Sequence, residues 1–465
     1  MNLTRPLILA KGGIRLAQVL TVLQHHTLGS SALSPKTWPF DIEFLPPQAY
    51  LVGGSVRDAL LERHSDYLDL DFVMPEGAVE TAATIARHYR AGFVLLDAER
   101  QIARVVFRQG TADFAQQVGN SLEEDLRRRD FTMNAIAYNP HTLELFDPLQ
   151  GSLDLERCVL RMISAENLAE DPLRLLRAYR QAAQLNFTID PATEIALGQL
   201  APLLRTIAAE RVQSELNYLL SSPRGTQKLA AAWEAGLLAD WLPHIRPERM
   251  TQVGAIDRVF NDLRTDWPSF ADSVSLRIRS QNQASQGSKN KETEPSGSTR
   301  TWLTIAKLAC LMSPDPDLAE PQLWRLKYSR AEIQSVLVLL KNRVRLETLI
   351  ALDSSAVGEI RRSQYGFFQK VGIAFPALMI SAMAQPLDIS SLRPLINRYL
   401  DPQDVVAHPV PVLSGQDLME SLGLPPSPQI GRILSALQIA KAEGIIATRE
   451  GAINLAQGWL DRGEL

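Results

Sequence analysis

Two aspartates, Asp69 and Asp71 in Leu68-Asp69-Leu70-Asp71-Phe72-Val73, have the type and spacing to act together. Side chains on a β-strand alternate between faces, so residues two apart leave the same face and these carboxylates converge. Like charges held that close require a cation or a shared proton, and a donor set made only of oxygens suits Mg2+ completed by waters and phosphates. By itself an Asp-x-Asp pair is as well explained by a solvated strand edge. A second feature stands upstream: Gly53-Gly54-Ser55-Val56-Arg57-Asp58, between a strand pattern and a helix pattern. Glycines let backbone amides approach phosphates, the following helix N-terminus adds partial positive charge, and Ser55 offers a hydroxyl. Gly53, Gly54, Ser55 and Arg57 are therefore candidate nucleotide-binding residues, although a lone Gly-Gly would mean no more than a turn.

These groups need elements to hold them. Tyr50-Leu51-Val52 reads as a strand, Gly53-Gly54 as the turn and Val56 to Arg63 as a helix. Leu68 to Met74 alternates as a second strand, Val79 to Tyr89 has helical periodicity, and Phe93 to Leu96 and Ile102 to Phe107 read as further strands. Gln109-Gly110 turns the last of these into Thr111 to Ala115. A mixed α/β domain of four or five strands is predicted over residues 45–160, after an N-terminal extension at 1–44. Beyond Ala165 amphipathic helical segments dominate, among them Pro172 to Leu185, Ala208 to Leu220 and Lys228 to Ala235. This predicts a helical neck at 161–225, a helical body at 226–400 and a helical tail at 401–465. Residues 280–300 hold almost nothing to bury and read as a flexible insertion in the body.

Composition narrows the partners without naming one. A chain of 465 residues exceeds what a single core supports, so several domains are expected. The net charge of −4 gives no general attraction to a phosphate backbone, and any nucleic-acid surface has to be a local patch of Arg and Lys. Cys158 and Cys310 are far apart and form no CxxC, which argues against zinc and disulfides and for a reducing cytoplasm. No stretch reaches the roughly 18 apolar residues of a membrane span. The first forty residues carry Arg5, Lys11, Arg15 and Lys36 with no acid, a pattern read as a plain extension that faintly resembles a transit peptide.

In order and character the glycine turn and the acid pair together resemble the nucleotidyltransferase domain of the DNA polymerase β superfamily. That resemblance implies in-line displacement of pyrophosphate by a 3′ hydroxyl with two metal ions, held here by Asp69 and Asp71. Asp113, on the hairpin partner, is either a third catalytic carboxylate or a strand-edge acid. Leu126-Arg127-Arg128-Arg129-Asp130-Phe131-Thr132-Met133-Asn134 could be a solvated charge run; it resembles the Arg-Arg-Asp motif of tRNA nucleotidyltransferases and bacterial poly(A) polymerases. Nucleotide binding by Arg128, Arg129, Asp130 and Asn134 is implied. In Glu170-Asp171-Pro172-Leu173-Arg174, Asp171 and Arg174 are expected to share a helix face at i and i+3, where an acceptor and a planar donor fork can address one base edge. The same residues also make ordinary helix-opening chemistry. They resemble the Glu-Asp-x-x-Arg motif of that family, which selects CTP and then ATP, with Arg177 and Arg180 continuing the basic stripe. Phe146 to Leu155 resembles the hinge after the head, Glu210 to Leu216 the brace of the neck, and the segments from Leu413 and Pro428 a tRNA-gripping tail. The likeness covers residues 49–220 and 409–450 and is absent between them.

Fold and partners follow from the resemblance: a polymerase β-like α/β head, then a helical neck, body and tail, acting on tRNA with CTP and ATP and with Mg2+ as cofactor. Fifteen positions separate Asp113 from Arg128, which leaves little room for a mobile loop. In members that add complete CCA this interval is longer, and members lacking the loop include enzymes that stop after two cytidines. CC addition is therefore expected here, with full CCA addition next. A poly(A) polymerase would be expected to end in a strongly basic arm, whereas this chain ends Asp461-Arg462-Gly463-Glu464-Leu465. A noncatalytic RNA-binding relative would ordinarily have lost one of the aspartates, and an appended phosphohydrolase would need a His-Asp dipeptide that none of the 7 histidines forms.

Overall fold

Alternation along Leu68–Met74 sets the architecture of the first half. Leu70 and Phe72 are fully buried while Asp69 is exposed and Asp71 half-buried, so one face of the strand is apolar and the other acidic. The computed structural model describes residues 31–65, 67–278, 300–352, 357–385 and 389–464. They form two compact units, one ending at Asp240 and one beginning at Trp241.

The first unit is built on a sheet of seven strands: β1 (Tyr50–Val52), β2 (Leu68–Met74), β3 (Gly92–Asp97), β4 (Ile102–Val106), β5 (Gly110–Gln116), β6 (Ala137–Asn139) and β7 (Glu144–Phe146). Their order is β3-β4-β5-β2-β1-β6-β7, which makes β2 the middle strand. It runs antiparallel to β1 and parallel to β5, with Asp69 beside Thr111 and Asp71 beside Asp113. The sheet exceeds the four or five strands predicted, because β6 and β7 are three residues each and too short to display alternation.

Helices cover both faces: α1 (Gly54–Leu60), α2 (Ala78–Tyr89) and α3 (Leu122–Arg127), the last capped by the Ser121 hydroxyl. Leu126 of α3 packs with Val52, Val73, Ala135 and Ala137, which fixes the following arginines near the acidic side of the sheet. On the apolar side Phe72 stacks on Phe114 at 5.3 Å, and Trp38 meets Phe72 edge-on at 5.1 Å. Leu33, Trp38 and Phe40 are buried, so this part of the N-terminal extension serves as a cover for aromatic residues that one sheet face cannot bury alone. The basic first thirty residues lie outside the described residues, as does nearly all of the expected insertion at 280–300.

Past the sheet the unit continues as α4 (Gly151–Glu156), α5 (Ala165–Glu170), α6 (Leu173–Leu185), α7 (Pro191–Leu200), α8 (Ala209–Ser221) and α9 (Gly225–Glu234). α6, α8 and α9 pack on one another. The second unit is helical from Pro247 onward apart from an antiparallel bridge of Arg277 with Thr301. Helix Trp302–Leu311 is buried along its length, including Lys307, which is ion-paired with Asp257. Near the C-terminus Leu418, Ile433, Leu437 and Ala452 gather in a cluster of their own. One expectation is corrected here: the run Val357–Met383 is long and apolar enough to cross a membrane, yet 67% of its most apolar window is buried inside the protein, where core packing accounts for its composition.

Candidate active site

The glycine turn and the acid strand meet directly. Gly53 has φ 77 and ψ −139, in the left-handed half of conformational space, and a Cβ there would lie 3.2 Å from Asp71 Oδ2 and 3.5 Å from Arg129 Nη1. Only glycine both adopts that backbone and leaves that space. Ser55 turns its hydroxyl back onto the Val52 carbonyl at 3.2 Å, and Gly54 begins α1. Arg57 is committed within the protein: it pairs with Asp58 and donates to Asn134 Oδ1 at 2.9 Å.

Around the acids, Thr111 donates its hydroxyl to Asp69 at 2.8 Å. Burial first, then the charges of Asp69 and Asp113, push the Asp71 carboxyl up to about 7 against the opposing pull of Arg129 and Arg104. Asp113 is taken in a two-pronged ion pair by Arg104, at 2.6 and 2.8 Å. Among the described residues no group of three or more His, Cys, Asp or Glu is arranged to hold a metal ion. Asp113 thus stands beside the pair with its charge already answered, and serving as a third ligand would mean releasing Arg104. For Asp69 and Asp71 the fit to a divalent cation is good, since their donors are all oxygen and the protein's own cations leave them under-compensated.

Downstream of α3 the arginines diverge. Arg128 pairs with Glu170 at 2.7 Å, and Arg129 reaches Asp125 at 3.3 Å. Asp130 is buried; burial alone would raise it, but Arg177 at 3.4 Å, the Asn134 amide and the Phe131 N–H together hold it below the usual carboxylate range. Arg177 is in turn kept protonated chiefly by Asp130. Arg180 pairs with buried Glu215 at 2.5 Å and lies over the Tyr218 ring, so it braces α6 against α8. Two buried nitrogens, Arg129 Nε and Arg177 Nε, have no protein partner. The Nη groups of the same two side chains are already ion-paired, with Asp125 and Asp130, and an unpaired buried donor is a point where a water or an ion can enter.

Asp171 does not stand on the helix with Arg174 as expected. It lies between α5 and α6, with φ −129 and ψ 89, because a residue preceding proline is pushed out of the helical region. Its carboxylate meets Arg211 of α8 at 3.1 Å and accepts from the Leu173 N–H. Arg174 donates to the carbonyls of Arg128 at 3.0 Å and Asn167 at 2.8 Å. Asn167 also ties down the arginine run, donating to the carbonyls of Arg127 and Arg129. Arg104, Thr111 and Asn167 are site residues that the sequence patterns do not reveal; only Asn167, four residues before the Asp171 motif, lies close enough to a recognised pattern to be suspected.

A sheet whose middle strand offers paired acids to a glycine turn, under arginines with unanswered donors, defines a nucleotidyltransferase head of the polymerase β kind. Known proteins extend that likeness along the chain. The family model "Poly A polymerase head domain" matches residues 49–161, and one for domain 2 of tRNA nucleotidyltransferases matches 296–456. A Synechocystis protein named CC-adding tRNA nucleotidyltransferase is 48% identical over 90% of this chain and 95% of its own. An A-adding tRNA nucleotidyltransferase of Deinococcus radiodurans is 32% identical over 90% and 96%. The solved Thermotoga maritima CCA-adding enzyme complexed with tRNA has the same fold, with a TM-score of 0.65 at 19% identity over 89% and 91% of the two chains. This chain belongs to the tRNA nucleotidyltransferase family. The match at 296–456 also corrects the expectation that the likeness lapses in the middle of the chain.

Proposed function

We propose that this enzyme adds cytidines to the 3′ end of tRNA with release of pyrophosphate, stops after two, and uses Mg2+ held by Asp69 and Asp71. The observation that carries the CC reading is the tether between β5 and α3. Gln117 N–H donates to the Met74 carbonyl at 2.8 Å, Val118 N–H to Asp125, Asn120 N–H to Glu124, and Ser121 caps α3. Between β5 and α3 this chain has a short turn bonded along its length, which leaves no free segment there to act as a mobile loop. The name of the Synechocystis relative supports the same reading.

In the reaction the tRNA 3′ oxygen bonds to the α-phosphorus of CTP as the bond to the pyrophosphate oxygen breaks. Bound metal ions supply a lowered hydroxyl pKa and offset the leaving charge. The chain's residues do the rest. Gly53 lets the triphosphate approach the backbone, and the guanidiniums of Arg129 and Arg177 supply positive charge toward the phosphate oxygens. Asp130 and Asn134, locked together at 2.9 Å, fix the ribose side of the site. Arg174 donates to the cytosine ring acceptors and Asp171 accepts from its exocyclic amine, so protein groups replace a template strand. The free thiols Cys158 and Cys310 fit a cytoplasmic setting.

Incubating the purified protein with a tRNA lacking its last three nucleotides, plus CTP and ATP, and sizing the product tests the proposal. Growth by two nucleotides is expected. A third, adenosine addition rejects the CC limit, and extension only of a tRNA already ending in CC, with ATP, assigns A addition instead.

A further inference from the structure

Strand β3 forms one margin of the sheet: β4 pairs with one side of it and, among the described residues, no strand pairs with the other. Its central residues are large, apolar and exposed, Phe93 by 42%, Val94 by 44%, Leu95 by 48% and Leu96 by 47%. Successive residues face opposite sides, so apolar surface stays exposed on both, although α2 packs against part of the strand. The opposite margin, β7, is three residues long and begins with Glu144. Short or charged edges keep sheets from joining other chains, and β3 has neither protection between Gly92 and Leu96. A bare edge of this kind is a pairing surface.

The identity of the occupant is read from the two ends. Arg90 caps α2 just before the strand; in the turn just after it Arg100 lies 3.9 Å from Asp97, which leaves Glu99 as the charge without an ion pair there among the described residues. A strand that is apolar in the middle, basic before and acidic after is complementary to itself when reversed. An antiparallel copy lays the apolar residues against one another and brings the Arg90 end of each chain to the Glu99 end of the other, a contact satisfied twice by one twofold axis. We infer that this chain forms a homodimer in which the β3 edges of two copies pair antiparallel, so that one sheet runs through both heads. Each new pairing hydrogen bond uses backbone groups that β4 leaves free.

Sedimentation velocity of the full chain, without RNA, over roughly 0.1 to 100 µM tests this in the range where a small edge-to-edge interface assembles. A concentration-dependent dimer is expected. Leu95→Lys should convert it to monomer, Arg90→Glu should weaken it about tenfold, and Arg90→Glu with Glu99→Arg should restore it. All three positions are on the surface, so melting temperatures should match the parent protein. Hydrogen exchange adds a readout that needs no variant: the outward β3 amides should be protected in concentrated protein and unprotected in dilute protein. A full chain that stays monomeric throughout overturns the inference, whether RNA or residues 1–30 cover the edge instead. A dimer indifferent to Leu95→Lys, or a double reversal no better than the single, overturns it equally.

Discussion

Replacing Gly53 with alanine separates the two demands placed on that residue. Its backbone, at φ 77 and ψ −139, lies close to a region only glycine occupies freely, where strain costs about 1–3 kcal/mol. For a unit of this size that lowers the melting temperature by roughly 2–12 °C. The new methyl would also stand 3.2 Å from Asp71 Oδ2, tighter than ordinary contact, so either the turn or the carboxylate has to shift. Relieving that contact takes a shift of a few tenths of an ångström; since displacements of about 1 Å among reacting groups cost on the order of 100-fold in rate, a shift of this size costs roughly threefold to tenfold. The expected outcome is therefore a loss of CTP incorporation of that order, measured in single-turnover assays with saturating tRNA, with tRNA affinity preserved. Gly77→Ala is the control: Gly77 has a similar φ of 74, but no atom lies within 4 Å of its added Cβ. That variant should lose stability and keep its rate. Equal rates for Gly53→Ala and Gly77→Ala would refute the reasoning, since strain alone would then explain both.

Asp69→Ala and Asp71→Ala should each abolish incorporation while filter-binding affinity for tRNA is retained, because charge neutralisation acts on the transition state. Asp171→Ala or Arg174→Ala should relax base choice: a lost hydrogen bond to a charged group is worth roughly 1.5–3 kcal/mol, or about 10- to 150-fold in CTP over UTP preference. Unchanged preference would return these residues to a helix-opening role. In the C-terminal cluster, the Asp417 carboxyl is lowered to about 2 from 3.8 by the hydroxyl and N–H of Ser414 and by Arg449. The folded value lies below the unfolded one, so this stabilising contribution is complete above pH 3.8 and is lost as pH falls toward 2. Side-chain carboxyl NMR should place its midpoint near 2, and Arg449→Ala should move it upward.

Features governed by near neighbours along the chain are legible in the amino-acid order itself. The Asp-x-Asp alternation, the glycine turn and the periodicity of α2, α6 and α8 each depend on spacing alone. Groups that arrive across the sheet are not legible in this way: Arg104 and Thr111 reach Asp113 and Asp69 through strand register, which no local pattern records. The position of Asp171 is a different case, since helical spacing suggests a shared face with Arg174 while Pro172 forbids a continuous helix through it, and the proline prevails. Trp38 and Phe40 read as part of a plain extension because their partners, Phe72 and Phe114, are more than thirty residues away.

The aspartates ride on the centre strand of seven, with neighbours bonded along both sides. Local opening there would require breaking the sheet itself, so its amides belong among the slowest to exchange in the molecule. On the proposed reading, rearrangement between successive additions falls to the primer and the incoming base, while the strand that bears Asp69 and Asp71 keeps its place.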